Sequence, residues 1–490
     1  MNLLEIQNLN VHLTGINPVR GVSLAVREGE FVGLVGSSGS GKSTLAMSIL
    51  RLQAGARISG KILFKRQDLN KMTEQELNTI RGSRIAMIFQ EPMLSLNPLH
   101  TAGRQIMEVL KYHTNEATKE RVISLLELVE LKDTERIYKA YPHELSGGQR
   151  QRIMIAMALA GKPDLLIADE PTTALDVTVQ AQILTLLKNL QQKLNLSILF
   201  ITHDLDIIRR LASRVYVMKY GHIVSTHLPE KQTEQKKRHK EKSDKKPVLS
   251  VSNLSVFYGD MNAVDNASFN LYPARTLGLV GESGSGKSTI ARALVRLIPA
   301  SGKVLLNDRD FLSLSGAELL KARAQIQMVF QDASSSLNPR MTVGDLVAEG
   351  WKLHNQGNAT EAVEKVLKAV GLRPDMVGRY PHELSGGQKT RVALARVLIL
   401  KPSVLILDEV TSSLDVETQN QLMTLLIDLQ KNYGLSYLFI SHDMKAVRRM
   451  SDEVMIMKQA RIVEKGSADD VFLTPKHPYT KQLLQDSFML

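Results

Sequence analysis

Two α/β domains in tandem, each built around a phosphate-binding loop, are what this sequence predicts, and three observations carry the prediction. Gly36–Thr44 reads GSSGSGKST and Gly281–Thr289 reads GESGSGKST, so one cradle motif occurs twice, 245 residues apart. Each copy follows a short apolar run suited to a buried strand, FVGLVG (31–36) or TLGLVG (276–281), and precedes a helical run such as STLAMSILRL. At 490 residues the chain also exceeds what one hydrophobic core ordinarily serves.

The repeat extends beyond the loops. FQEPMLSLNP (89–98) returns as FQDASSSLNP (330–339), and YPHELSGGQ (141–149) returns unchanged at 380–388. LLIADE (165–170) is matched by VLILDE (404–409), and ITHD (201–204) by ISHD (440–443), in the same order. Packing helices agree as well: Val122, Leu125, Leu126 and Val129 stand at i, i+3, i+4, i+7, as do Val363, Val366, Leu367 and Val370. The chain reads as a duplication of one fold, with domains at 1–228 and 248–490.

Between them, PEKQTEQKKRHKEKSDKKP (229–247) carries eight Lys or Arg against four Asp or Glu, a third of the net charge of +12. It has no aliphatic or aromatic residue with which to form a core, which makes it a solvated linker; a nucleic-acid or lipid-headgroup patch is the competing reading of KKRHKEK. Apolar residues at 43% and charged residues at 23% are those of a globular protein. No run approaches the roughly 20 apolar residues that cross a bilayer, and MNLLEIQNLNVHL lacks a secretory pattern, so any membrane role is expected through a partner. With no cysteine there is no disulfide and no thiolate metal site.

The motifs assign chemistry. Gly36, Ser38, Gly39 and Gly41, like Gly281, Ser283, Gly284 and Gly286, let successive N–H groups fold around phosphates at a helix N-terminus. Lys42 and Lys287 reach the β- and γ-phosphates, and the hydroxyls of Ser43 and Ser288, each followed by Thr44 or Thr289, ligate Mg²⁺. LLIADE and VLILDE each end a buried strand in two carboxylates: Asp169 and Asp408 for Mg²⁺, Glu170 and Glu409 to orient or deprotonate the attacking water. His203 and His442, at the ends of the apolar runs ILFI and YLFI, are candidates for a γ-phosphate contact.

In this order, phosphate loop, FQ, LSGGQ, DE, TALD or SSLD and a terminal His, the motifs resemble the ATP-binding cassette ATPases. SLNP, YPHE before LSGGQ, and LTPKHPYTKQLL (473–484) are similar to the ATPase subunits of oligopeptide, dipeptide and nickel importers, fused in pairs as in oligopeptide and microcin C importers. The resemblance implies a RecA-like core and a helical subdomain in each half, with ATP and Mg²⁺ as cofactors. It adds Gln90 and Gln331 as nucleotide- and Mg²⁺-sensing residues, and Asp176 and Asp415 at the domain interface. One composite site is implied in which Lys42, Gln90, Glu170 and His203 meet Ser385, Gly386, Gly387 and Gln388. A second joins Lys287, Gln331, Glu409 and His442 to Ser146, Gly147, Gly148 and Gln149.

The implied activity is ATP hydrolysis energising import of peptides or similar solutes, among them glutathione, nickel or a metal chelate. The implied partners are two integral membrane permease subunits, docking on the segments after each FQ, and an extracytoplasmic solute-binding protein. The place is the cytoplasmic face of the cell membrane. Tyr258 or Phe257 offers the adenine platform in the second half, where the first offers Leu13 with His12 beside it. The first half lacks a KHPYT-like tail, and the absence of cysteine excludes the iron–sulfur cluster of many relatives. The alternative, a tandem ATPase acting on ribosomes or nucleic acid, calls for a longer helical linker. A stand-alone kinase would leave LSGGQ and the second loop unexplained.

Overall fold

The computed structural model describes residues 2–37, 39–89, 95–172, 175, 177–228, 246–354, 358–412, 414 and 416–489, the side chains at 177, 333, 334, 416, 488 and 489 excepted. The sequence-predicted residues Ser38, Gln90, Asp176 and Asp415, and 229–245 of the linker, lie outside this set. The chain divides into two compact units, with the boundary between Gln232 and Thr233.

In the first unit a six-stranded sheet takes the order β10-β9-β3-β8-β7-β6. Its strands are β3 (Phe31–Val35), β6 (Ile85–Ile88), β7 (Leu165–Asp169), β8 (Ser197–Thr202), β9 (Arg214–Lys219) and β10 (His222–Ser225). The inner pairs are parallel, and only β9–β10 is antiparallel. FVGLV and LLIAD are buried at all five positions, because a parallel sheet covered on both faces selects continuous apolar runs instead of alternation.

A second, antiparallel sheet, ordered β2-β1-β4-β5, is made by β1 (Asn2–Leu13), β2 (Ile16–Arg27), β4 (Arg57–Phe64) and β5 (Gln67–Asp68). Helix α1 (Lys42–Ile49) packs between the sheets, where Leu45, Ala46 and Ile49 join Leu4, Ile6, Val11, Leu34 and Ile167 in one core. On the other face of the six-stranded sheet lies a helical part: α3 (Ala102–His113), α4 (Lys119–Leu128), α5 (Thr134–Lys139) and α6 (Gly147–Ala160), following the short α2 (Glu74–Asn78). Ile106, Leu110, Val122, Leu125, Leu126, Ile137 and Ile153 interlock there, as the i, i+3, i+4 spacing predicts. Helix α7 (Val177–Leu194) runs from β7 to β8.

The second unit repeats this. With β14 (Ser301–Leu306), β15 (Arg309–Asp310), β16 (Ile326–Val329), β19 (Glu453–Lys458) and β20 (Arg461–Ser467), its six-stranded sheet is β16-β17-β18-β13-β19-β20, the same order read from the other edge, beside an antiparallel sheet β12-β11-β14-β15. Strand β13 is Thr276–Gly281, β17 Val404–Asp408 and β18 Ser436–Ile440, and the N-terminal hairpin is β11 (Leu249–Tyr258) with β12 (Met261–Leu271). The sequence-predicted α/β class and its duplication are therefore observed, each unit a P-loop core carrying a helical part.

One junction is built differently in the two units. At the start of β3 in the first, Glu30 receives Arg214 through two nitrogens, Nε at 3.0 Å. In the second unit Arg275 stands where Glu30 does, and its partner is Asp452, one residue before the counterpart of Arg214: Arg275 Nη1 stands 3.3 Å from Asp452 Oδ1, whose other oxygen accepts from the N–H of Thr276 at 2.8 Å. Burial raises the Glu30 pKa, but the Arg214 hydrogen bond and charge and the Arg27 N–H outweigh it, so the net shift is downward. A lowered carboxylate pKa stabilises the fold above its unfolded value near 4.5 and loses that contribution as pH falls through the folded value. Glu30→Gln should thus lower the Tm of the first unit by about 2–6 °C at pH 7, with the gap closing in acid. Thermal melts from pH 3 to 8 test this, and a pH-independent gap would refute it.

Two candidate nucleotide sites

Each site assembles where three parallel strands end together. Val35 is in register with Thr202 and Asp169 with Ile201, so the phosphate loop leaving β3, Glu170 leaving β7 and His203 leaving β8 share one sheet edge. In the second unit Leu279 and Asp408 both pair with Ile440, bringing Lys287, Glu409 and His442 to the matching place. This is the carboxyl edge at which open α/β sheets bind ligands.

The loops need glycine at defined points. Gly41 and Gly286 cap helices α1 and α9 (Lys287–Leu294) at φ 102° and 105°, and a Cβ there would lie 2.1 Å from the Pro18 carbonyl or 2.3 Å from that of Ala263. Gly39 and Gly284, at φ 75° and 78°, would meet nothing within 4 Å, which marks the open bowl of the cradle. Lys42 Nζ donates to the carbonyls of Gly36 and Ser37 at 2.9 Å, and Lys287 Nζ to those of Gly281 and Glu282 at 2.8 Å, so each ammonium spans its loop.

Asp408 Oδ1 accepts from the Ser288 hydroxyl at 3.1 Å, and Asp169 is likewise hydrogen-bonded to Ser43. Both carboxylates are buried, and burial raises both pKa values against the pull of the serine and the loop lysine. Asp169 Oδ1 has no partner among the described residues. A desolvated carboxylate beside a hydroxyl and short of a donor is the chemistry of a cation site. No group of three acidic or histidine side chains placed to hold a metal ion by themselves occurs among the described residues.

Glu170 and Glu409 adopt the left-handed region, φ 46° and 48°, where a non-glycine residue is strained. Their N–H groups donate to Ile201 and Ile440 at 2.9 Å, and the turn swings the carboxylates toward the histidines. His203 Nδ1 lies 3.2 Å from Glu170 Oε1, and His442 Nδ1 lies 3.4 Å from Glu409 Oε2. Gln331 Nε2 donates to the same Glu409 oxygen at 2.8 Å. The Glu partners raise both histidine pKa values over the opposing effect of burial. Burial pushes Glu409 up, but the His442 bond and charge, with Lys287, bring it below its usual value.

The LSGGQ segments form helix N-termini. Ser146 Oγ accepts from the Gln149 N–H at 3.2 Å while Gln149 Oε1 accepts from the Ser146 N–H at 3.0 Å; Ser385 and Gln388 repeat this at 3.3 and 2.9 Å on α14 (Gly386–Leu398). A Cβ at Gly148 would sit 2.6 Å from Val179 Cγ1, and one at Gly387 2.7 Å from Thr418 Cγ2, so the second glycine lets this helix lie against the one after TALD or SSLD. Tyr258 is exposed at the tip of the β11–β12 hairpin opposite Met261, two residues before the carbonyl that abuts Gly286; in the first unit His12 is bonded to Asn17 at 2.6 Å. Spacing alone did not reveal the positive φ at Glu170 and Glu409.

Fold and site together define a tandem P-loop ATPase. The family described as ABC transporter matches residues 19–173 and 264–412, and the chain belongs to it. It is 47% identical to the "Uncharacterized ABC transporter ATP-binding protein YejF" of Escherichia coli, across 98% of this chain and 99% of that one. It is 45% identical to the "Peptidoglycan transport ATP-binding protein YejF" of Agrobacterium fabrum, across 99% and 96%. To the "Glutathione import ATP-binding protein GsiA" of Salmonella paratyphi A it is 41% identical, across 99% and 89%. The chain binds and hydrolyses ATP as the ATP-binding subunit of a membrane transporter, and no helix among its described residues is long and apolar enough to cross a membrane.

Proposed function

We propose that both cradles take MgATP and that their hydrolysis drives import of a short peptide or peptide-like solute. The observation that carries this is the pairing, in each unit, of a Lys-spanned phosphate loop with a strained glutamate held by histidine. Ser43 with Asp169, and Ser288 with Asp408, would hold Mg²⁺, with Gln90 and Gln331 as further oxygen ligands; the ion would neutralise charge on the β- and γ-phosphates.

Loop N–H groups and Lys42 or Lys287 bind the phosphates, and the positive ends of α6 and α14 offer further donors. The glutamate at Nδ1 raises the histidine pKa and so favours the imidazolium, whose Nε2–H would serve as a donor to the γ-phosphate. Both donors to Glu409 among the described residues meet Oε2, which supports a role for Oε1 as the oxygen that would receive the proton of the attacking water.

The importer role rests on the names of the relatives, which specify glutathione import and peptidoglycan transport, and on YPHELSGGQ and KHPYT. Two permease subunits, a solute-binding protein and a peripheral place on the cytoplasmic membrane face belong to this reading, as do domain bounds at 1–228 and 248–490 with a tether between. Gentle detergent extraction of the tagged chain, followed by mass spectrometry, should recover two polytopic membrane proteins in matched amounts. Recovery with ribosomal proteins and no membrane subunit would overturn the transport reading.

A further inference from the structure

The tail KHPYT is held in place by its own residues. Glu464 accepts the N–H groups of Lys476 at 2.8 Å and His477 at 3.0 Å, and His477 Nδ1 accepts the Tyr479 N–H at 3.1 Å. Pro478 then opens the last helix, α18 (Pro478–Met489), where its missing N–H costs nothing. Tyr479, Leu483 and Leu484 anchor that helix in the core of the second unit.

The side chain so anchored does not only pack. Tyr479 is 5% exposed, the Lys458 ammonium stands 4.4 Å from its ring centroid, and its hydroxyl oxygen accepts the N–H of Glu282 at 3.2 Å. Glu282 is the second residue of the GESGSGKST loop, and its carbonyl is one of the two that receive Lys287 Nζ. The peptide of residue 282 is therefore gripped on one side by the tail and on the other by the cradle's own lysine. In the first unit Ser37 stands in place of Glu282, and its N–H meets no tyrosine hydroxyl among the described residues.

We propose that Tyr479 is a positioning residue for the second nucleotide site, its hydroxyl fixing the entry of the phosphate loop and making the two cradles of this chain unequal. The proposal rests on the reading of the Lys287 loop as a nucleotide site. A loop held before the ligand arrives has less ordering left to lose on binding, so the effect falls on affinity and not on the hydrolytic step. Tyr479→Phe is the discriminating change: it keeps the ring, the helix and the Lys458 contact and removes the hydroxyl that accepts the Glu282 N–H.

The test measures binding of a fluorescent ADP analogue to the full chain in two backgrounds, Lys42→Ala, which leaves the second cradle, and Lys287→Ala, which leaves the first. Tyr479→Phe should weaken binding roughly 3- to 10-fold in the Lys42→Ala background and leave it unchanged in the other, with turnover at saturating ATP and Tm close to the parent. Equal affinity in the Lys42→Ala background, or an equal loss in both, would overturn the proposal. Absence of any binding in Lys42→Ala with Tyr479 intact would instead overturn the reading of the second loop as a nucleotide site.

Discussion

Replacing Glu409 by Gln leaves ATP binding intact and lowers turnover at the second site by roughly 10²- to 10³-fold, and Glu170→Gln does the same at the first. The expectation follows from what the amide keeps. Glutamine has the size of glutamate and still accepts through one oxygen from His442 and Gln331, so the left-handed turn at φ 48° and the histidine's orientation survive. What it loses is the capacity to take a proton from water. The phosphate loop and Lys287 are untouched, and affinity should hold. Nucleotide binding and phosphate release, measured on each single variant and on the double variant, decide the matter: the double variant should retain almost no turnover. A single variant with full activity would remove that glutamate from the reaction.

The parts of this protein that were legible in its sequence are those whose chemistry is local. A phosphate loop needs its glycines, lysine and serine within nine residues, a buried parallel strand needs an unbroken apolar run, and LSGGQ caps its own helix through Ser146 and Gln149. What stayed hidden depends on residues far apart in the chain. The Glu30–Arg214 and Arg275–Asp452 pairs join positions more than 170 apart, so the charges look unrelated until the strands are aligned. The KHPYT tail lies 197 residues from the loop it touches, and its branch-specific pattern says nothing of a hydroxyl meeting Glu282. The backbone strain at Glu170 and Glu409 is invisible for another reason: sequence patterns read side-chain preference, and glutamate carries no bias toward positive φ. Both units show the same turn.

The cradle itself offers the second large effect, through two glycines that are alike in sequence and different in space. At Gly286, an alanine must accept φ 105° and place its methyl 2.3 Å from the Ala263 carbonyl and 2.7 Å from Met457 Cε; the methionine end can swing away, but the carbonyl belongs to a paired strand. The loop must therefore shift, and with it the N-terminus of α9 and Lys287. At Gly284, φ 78° is also unfavourable for alanine, yet the methyl meets no atom within 4 Å and projects into the bowl. In a Lys42→Ala background, Gly286→Ala should reduce ATP affinity on the order of 10²-fold and also lower the Tm, since strain of this kind costs about 1–3 kcal/mol before the clash is counted. Gly284→Ala should weaken ATP comparably while lowering the Tm less, because its methyl competes with the phosphate and not with the fold. Binding titrations and melts on the two variants separate these effects. ATP bound to Gly286→Ala with parental affinity would mean that the loop geometry at φ 105° is dispensable for nucleotide binding, and the cradle would have to be sought in another arrangement of these residues.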